Sequence, residues 1–95
     1  MRVRWTAPAL RAVEELQDRI ARDSPDAAYR VAARIREAVN GLAAFPWRGR
    51  AGRVSGTYEP VIPRTSYTAA YRVQGEIVEV VAVIHQAQQW PDRFD

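Results

Sequence analysis

Apolar residues recur with helical spacing in two stretches of the first half of the chain. The first stretch contains Leu10, Val13, Leu16 and Ile20. The second contains Ala28, Val31, Ala32, Ile35, Ala38, Val39 and Leu42. At about 100° per residue, each set falls within an arc of roughly 120°, the width of one buried stripe. Thr6 and Ser24 stand at N-cap positions, each with a proline close behind it. The pattern therefore predicts two amphipathic helices, over about residues 7–22 and from residue 25 onward, packed as an antiparallel hairpin.

Alternating patterns typical of β-strands lie on both sides of the helical stretches. Arg2–Trp5 alternates basic and apolar residues, and residues 67–73 and 76–85 also follow a period of two. The intervening pair Gln74-Gly75 has the length of a two-residue hairpin loop, with Gly at its second position. These segments predict a short opening strand and a C-terminal β-hairpin.

The middle of the chain gives weaker signals. Residues 46–53 form a Gly/Arg-rich loop without periodicity, and residues 58–62 resemble a strand. Pro60 has no amide hydrogen, which favours a sheet edge or a bulge for that strand. The predicted fold class is α+β, in which an N-terminal strand and an antiparallel two-helix hairpin pack on one face of a small antiparallel β-sheet. Residues 1–95 are expected to form a single domain. The residues expected in its core are Leu10, Val13, Leu16, Ile20, Val31, Ile35, Val39, Leu42, Val78 and Val80.

The predicted hairpin divides its side chains between two faces. A loop at Gln74-Gly75 would place Val73 opposite Glu76 and Arg64 opposite His85. One face would be apolar and pack on the helices. The other would carry Thr68, Arg72 and His85, and no predicted helix remains to cover it. That second face is the candidate functional surface.

The composition restricts the kinds of chemical site that the chain can form. The chain has no Cys and a single His, so it offers no disulfide framework, no thiol nucleophile and no cluster of metal ligands, and we expect no metal and no cofactor. No apolar run approaches the ~20 residues that span a bilayer, and the start lacks the apolar segment of a secretion signal. We therefore expect a cytoplasmic protein without membrane contact.

Charge is distributed unevenly along the chain. All 14 basic residues are Arg, against 11 acidic residues, for a net charge of +3. Residues 46–72 carry five of these Arg and only one acid, Glu59. An acidic partner or a polyanion would be attracted to this segment.

Several motifs occur together in a familiar order. They are residues 42–46 (LAAFP), 49–54 (GRAGRV), 67–73 (YTAAYRV) and 83–85 (VIH), preceded by Val3-Arg4-Trp5-Thr6 and Ala9. With the predicted order of elements, they resemble the RelE/ParE superfamily of type II toxins over essentially the whole chain. The resemblance implies a bacterial toxin of a plasmid-stabilisation-like toxin–antitoxin system. It also implies a hetero-oligomer with a cognate antitoxin, expected to be ParD-like and of ribbon-helix-helix type.

The resemblance also bears on the branch of the superfamily. RelE-type toxins cleave mRNA on the ribosome with basic residues and a Tyr or His on the open sheet face, whereas ParE-type toxins are associated with inhibition of DNA gyrase. Thr68 stands where the nucleases carry an Arg, and residues 86–90 lack their late basic and Tyr positions. This favours a ParE-like protein that inhibits gyrase by binding and has no catalytic residue.

Two alternatives stay open. A RelE-type ribosome-dependent mRNA endonuclease would have to use His85, Arg64 and Arg72. A non-toxic nucleic-acid-binding module would use Arg residues of the middle segment. The residues proposed to bind a partner are Arg48, Arg50, Arg53, Arg64, His85, Gln86 and Trp90.

Overall fold

In a computed structural model that describes residues 1–94, two helices pack on one face of a five-stranded mixed sheet. The elements are β1 (Arg2–Trp5), α1 (Ala7–Ala21), α2 (Pro25–Asn40), a 3₁₀ turn (Gly41–Ala43), β2 (Arg50–Ala51), β3 (Tyr58–Glu59), β4 (Tyr67–Gln74) and β5 (Ile77–His85). The strand order is β1-β5-β4-β3-β2. The predicted fold class is confirmed, except that the sheet is not wholly antiparallel. Strand β1 pairs parallel to β5, because the chain between them crosses through the helix layer rather than through a hairpin. Neither helix of the described chain is long and apolar enough to span a bilayer.

Both helices begin where the capping residues predict. The Thr6 hydroxyl accepts a hydrogen bond from the Ala9 amide at 3.4 Å, and the Ser24 hydroxyl accepts one from the Ala27 amide at 3.2 Å. Each satisfies one of the amides that a helix N-terminus leaves unpaired.

The core lies between the helices and the sheet. It is built on residues including Val13, Leu16, Ile35, Val39, Val80 and Val83. Of the ten residues expected to be buried, seven are buried, and Ile20 and Val31 are partly buried. The prediction for Leu10 is wrong, because this residue is 47% exposed. Ala9 takes its place and is fully buried. Leu10 lies about 60° from Val13 at the margin of the stripe, whereas Ala9 lies nearer its centre.

The middle strands differ from the prediction. The strand predicted over residues 58–62 is present only at Tyr58–Glu59, as β3, and its predicted edge position is wrong because it lies between β4 and β2. Pro60 follows β3 directly and, having no amide hydrogen, cannot extend its ladder. Strand β2 was not predicted, because two residues carry no periodicity.

The pairing of β4 with β5 also differs from the predicted register, first in the position of the loop and then through a β-bulge. The loop is Gly75-Glu76 rather than Gln74-Gly75, since Gln74 pairs with Ile77. Gly75 has a φ of +58°, which suits the first position of a two-residue turn. This moves the pairing by two residues and leaves the faces unchanged. A β-bulge then pairs Tyr71 with Val80 but Ala70 with Ala82, so Val81 is left without a partner.

The bulge exchanges the faces of every residue that follows it. Val83 lies in the core below the helices, and His85 pairs with Tyr67. The predictions that His85 lies on the face away from the helices, and that Arg64 opposes it, are therefore wrong.

Candidate functional site

The sheet face away from the helices is covered by the C-terminal segment, residues 86–94. A guanidinium nitrogen of Arg72, which lies on this face, donates to the Phe94 carbonyl at 2.6 Å. The Arg53 guanidinium lies 4.2 Å from the centroid of the Trp90 ring. Thr68 and Ala70 beneath are only 4% and 0% exposed. This face is therefore not the open surface that the sequence predicts.

Two residues proposed to bind a partner, Trp90 and Gln86, make contacts within the chain, although Gln86 does so through its backbone and remains exposed. The Trp90 indole N–H is buried and has no hydrogen-bond partner among the described residues. The Gln86 amide donates to the Ser66 carbonyl at 2.8 Å, which continues the β4–β5 pairing beyond His85. The backbone of Gln86 and the ring of Trp90 thus hold the C-terminal segment in place.

Glu59 organises two of the proposed Arg residues. Its side chain is only 1% exposed, and one carboxylate oxygen accepts from the Arg53 amide at 2.8 Å. The other oxygen lies 3.7 Å from Arg50 Nη2 and 3.9 Å from Arg53 Nε. A buried carboxylate of this kind needs such partners. Since two guanidinium groups share one carboxylate, this cluster keeps a net positive charge.

An exposed aromatic loop, residues 44–48, follows the 3₁₀ turn. Phe45 and Trp47 are 57% and 61% exposed. The Arg48 guanidinium lies 4.5 Å from the Phe45 ring centroid, and Trp47 meets the Tyr58 ring edge-on at 5.5 Å. Two large, exposed aromatic side chains in one short loop mark it as a candidate contact surface.

Tyr71 connects this loop to the sheet. Its hydroxyl donates to the Pro46 carbonyl at 2.8 Å and accepts from the Gly49 amide at 3.0 Å. Burial raises the pKa of the Tyr71 phenol above its usual 10.0, and the Gly49 hydrogen bond offsets part of that rise. Position 49 requires glycine, because a Cβ there would lie 2.5 Å from the phenol oxygen.

His85 lies at the other end of the sheet, on the helix side. Its ring meets Tyr67 edge-on at 5.1 Å, and its Nδ1 accepts from the Ala87 amide at 3.0 Å. Arg19 of α1 donates to the Tyr67 hydroxyl at 3.4 Å. The Gln88 side-chain oxygen accepts from the His85 amide at 2.7 Å. These four side chains line a shallow depression, called here the His85 recess.

The residues proposed for a nuclease are not brought together. His85 lies on the helix side, Arg72 on the opposite face, and Arg64 in the turn before β4. Arg64 has a φ of +60°, and its carbonyl accepts from Arg34 of α2 at 3.2 Å. No group of three or more acidic or His side chains that could hold a metal occurs among residues 1–94.

Sequence reasoning missed several residues of these sites. Glu59 could have been found from the sequence, because it is the single acidic residue in the basic middle segment. The partners of His85 could not: Arg19 belongs to α1, and only the register created by the bulge places Tyr67 beside His85.

Comparison with known proteins assigns the chain to a family. A family model described as the ParE toxin of the type II toxin–antitoxin system parDE matches residues 3–90. The chain belongs to the ParE toxin family. This ParE-family chain is 47% identical over 90 residues to the Sinorhizobium fredii protein Y4kP, covering 95% of the chain and 93% of that protein. It is 34% identical over 84 residues to toxin RelE2 of Caulobacter vibrioides, covering 88% and 93%.

Two solved structures share the ParE-family fold. One is from the chromosomal ParDE system of P. aeruginosa, with a TM-score of 0.79 and 24% identity over 90% of this chain and 95% of that one. The other is from the toxin–antitoxin complex RelBE2 of Mycobacterium tuberculosis, with a TM-score of 0.62 and 27% identity over 88% and 95%. The resemblance to type II toxins is thus confirmed.

Proposed function

We propose that this ParE-family toxin acts in the cytoplasm by binding and inhibiting DNA gyrase and is neutralised by a ParD-like antitoxin. The observation that carries the proposal is the separation of the groups a nuclease would need. His85, Arg64 and Arg72 occupy three different places on the molecule, and Thr68 is buried where the nucleases carry an Arg.

The separation matters because RNA cleavage requires two groups to act together on the same phosphate. A base must take the 2′-hydroxyl proton while a cation neutralises the charge that develops on the phosphorus oxygens. Near His85, the described cation is Arg19, and it already donates to Tyr67. Arg72 is directed to the C-terminal segment. The arrangement favours binding over catalysis.

The aromatic loop is the surface we assign to the target. Phe45 and Trp47 are exposed, and Arg48 and Arg50 follow them in the chain, with no acidic residue between positions 44 and 58. Trp, Tyr and Arg are the residue types that dominate binding energy at protein interfaces. The C-terminal segment, proposed from sequence as a second contact, is instead occupied with the sheet.

The antitoxin proposal rests on the family and on the relatives. The two solved structures are named for a ParDE system and for a RelBE2 complex, respectively. An antitoxin tail that is disordered when free would fold onto this chain and place its carboxylates near Arg48 and Arg50.

The experiment measures both activities on the purified toxin. We expect inhibition of gyrase supercoiling with accumulation of cleaved DNA, and intact mRNA on translating ribosomes. His85→Ala should leave gyrase inhibition within about twofold, since His85 lies outside the aromatic loop, whereas Trp47→Ala should weaken it at least about tenfold. Codon-specific mRNA cleavage that His85→Ala abolishes would replace this proposal with the RelE-type nuclease. That rival has its own support in the 34% identity to toxin RelE2.

A further inference from the structure

The His85 recess is formed by side chains from separate elements. Arg19 comes from α1, Tyr67 from the start of β4, His85 from the end of β5 and Gln88 from the turn that follows. Each of these side chains makes a hydrogen bond inside the protein. Those bonds determine which polar groups remain for a ligand.

The internal hydrogen bonds of the recess occupy acceptor atoms of its side chains. The Tyr67 oxygen accepts from Arg19, the His85 Nδ1 accepts from the Ala87 amide, and the Gln88 Oε1 accepts from the His85 amide. A neutral imidazole whose Nδ1 accepts a hydrogen bond carries its proton on Nε2.

What remains in the recess is therefore a set of donors. They are the remaining guanidinium N–H groups, the phenol O–H, the imidazole Nε2–H and the Gln88 amide N–H groups. None of these has an acceptor within residues 1–94 apart from the Arg19 bond to Tyr67. Such a site complements a ligand that offers acceptors and negative charge.

We propose that the His85 recess binds a phosphate group. Arg19 supplies the positive charge, and the donors come from four elements rather than from one planar fork. Donors that approach from different directions suit the tetrahedral oxygens of phosphate better than the flat edge of a carboxylate. Glu15, one helical turn before Arg19, lines the adjoining recess and is the opposing charge nearby. The inference does not depend on gyrase as the target.

The test follows the imidazole of His85 by NMR, which is unambiguous because the chain contains one His. Inorganic phosphate is added to the full chain at constant ionic strength and pH. We expect saturable shifts of the imidazole signals with a dissociation constant in the millimolar range.

The variants separate the recess from general surface charge. Arg19→Gln should weaken phosphate binding at least about tenfold, while Arg22→Gln, which removes the same charge just beyond the end of α1, should leave it unchanged. Tyr67→Phe keeps the ring against His85 but removes the hydroxyl, and should weaken binding by a smaller factor. Glu15→Gln should strengthen it.

Two further probes identify the anion. Acetate should bind at least about fivefold more weakly than phosphate if tetrahedral oxygens are preferred. Dimethyl phosphate that matches inorganic phosphate would point to a nucleic-acid backbone, and weaker binding would point to a free or terminal phosphate. Shifts that rise linearly with every anion, or that survive Arg19→Gln in a folded variant, would overturn the proposal.

Discussion

Tyr71 fixes the aromatic loop to the sheet through both functions of its hydroxyl group. The phenol is fully buried, and its oxygen is shared between the Pro46 carbonyl and the Gly49 amide. Removing the hydroxyl leaves two backbone groups without their partner. An unsatisfied buried polar group costs about 1–3 kcal/mol. The position of Trp47 and Phe45 thus depends on one side chain of the sheet.

The Tyr71 phenol should also control stability at alkaline pH. Because its pKa is raised in the folded chain, its contribution to the unfolding free energy is complete below about pH 10 and is lost as the pH rises beyond that. The chain has no Lys and no Cys, so neither of these side-chain types contributes to a change in this range. Denaturant unfolding between pH 8 and 11 should show this decline in the wild-type chain.

Tyr71→Phe should be less stable than wild type by about 1–3 kcal/mol at pH 8, and its curve should be flatter above pH 10. Tyr29→Phe is the matched control, since Tyr29 is 72% exposed, and it should follow the wild-type curve. A Tyr71→Phe curve as steep as that of the wild type would assign the alkaline loss to another group.

The helix hairpin is the element that holds the core, and single residues of its predicted stripes differ in burial. Ile35 is 0% exposed, whereas Leu10 of the other predicted stripe is 47% exposed. Ile35→Ala should lower the unfolding free energy by about 2–5 kcal/mol, because it removes buried methyl groups and leaves a cavity. Leu10→Ala, of equal size change, should cost less than about 1 kcal/mol. Equal losses in denaturant unfolding would show that Leu10 is covered in solution.

For helices and strands, the sequence predicts the features that depend on residues close together in the chain. Thr6 and Ser24 cap both helices, and the alternation of residues marks the long strands. The bulge at Val81 was missed, because only tertiary packing decides that Val80 and Val83 both face the helices. Near the short strands β2 and β3, Glu59 contacts Arg50 and Arg53, and Tyr71 of β4 binds the Pro46 carbonyl and the Gly49 amide. No periodic pattern records such contacts.

The fold separates the Arg residues of the basic middle segment, residues 46–72, more than the sequence suggests. Of the Arg residues in the basic segment, Arg50 and Arg53 share Glu59, and Arg72 donates to the C-terminal segment. Arg64 lies in the turn near α2. Composition predicted a positive middle segment, but the buried Glu59 and the fold divide that segment into separate places. The part that combines charge with exposed aromatic rings is the aromatic loop, with Arg48 and its neighbour Arg50.

Charge reversal at this loop should weaken the antitoxin complex. Arg48→Glu should reduce affinity and flatten its dependence on salt, because fewer ion pairs form with the tail carboxylates. Arg50 and Arg53 are left unchanged, since both guanidinium groups lie beside the buried Glu59. Arg30→Glu on α2 is the control with the same net change. Titration calorimetry at two salt concentrations measures both variants, and unchanged affinity for the loop variant would remove the loop from the interface.

The parallel pairing of β1 with β5 has a consequence for the order of folding. Residues 2–5 find their partner strand about 75 positions later, at residues 77–80. Strand β5 lies between β1 and β4, so it completes the sheet from both sides. Contacts between such distant parts of a chain are slow to form and bring no gain until the last strand is present. On a translating ribosome, the chain therefore remains without its native sheet until residue 85 has been added, and truncation before β5 should leave no folded toxin.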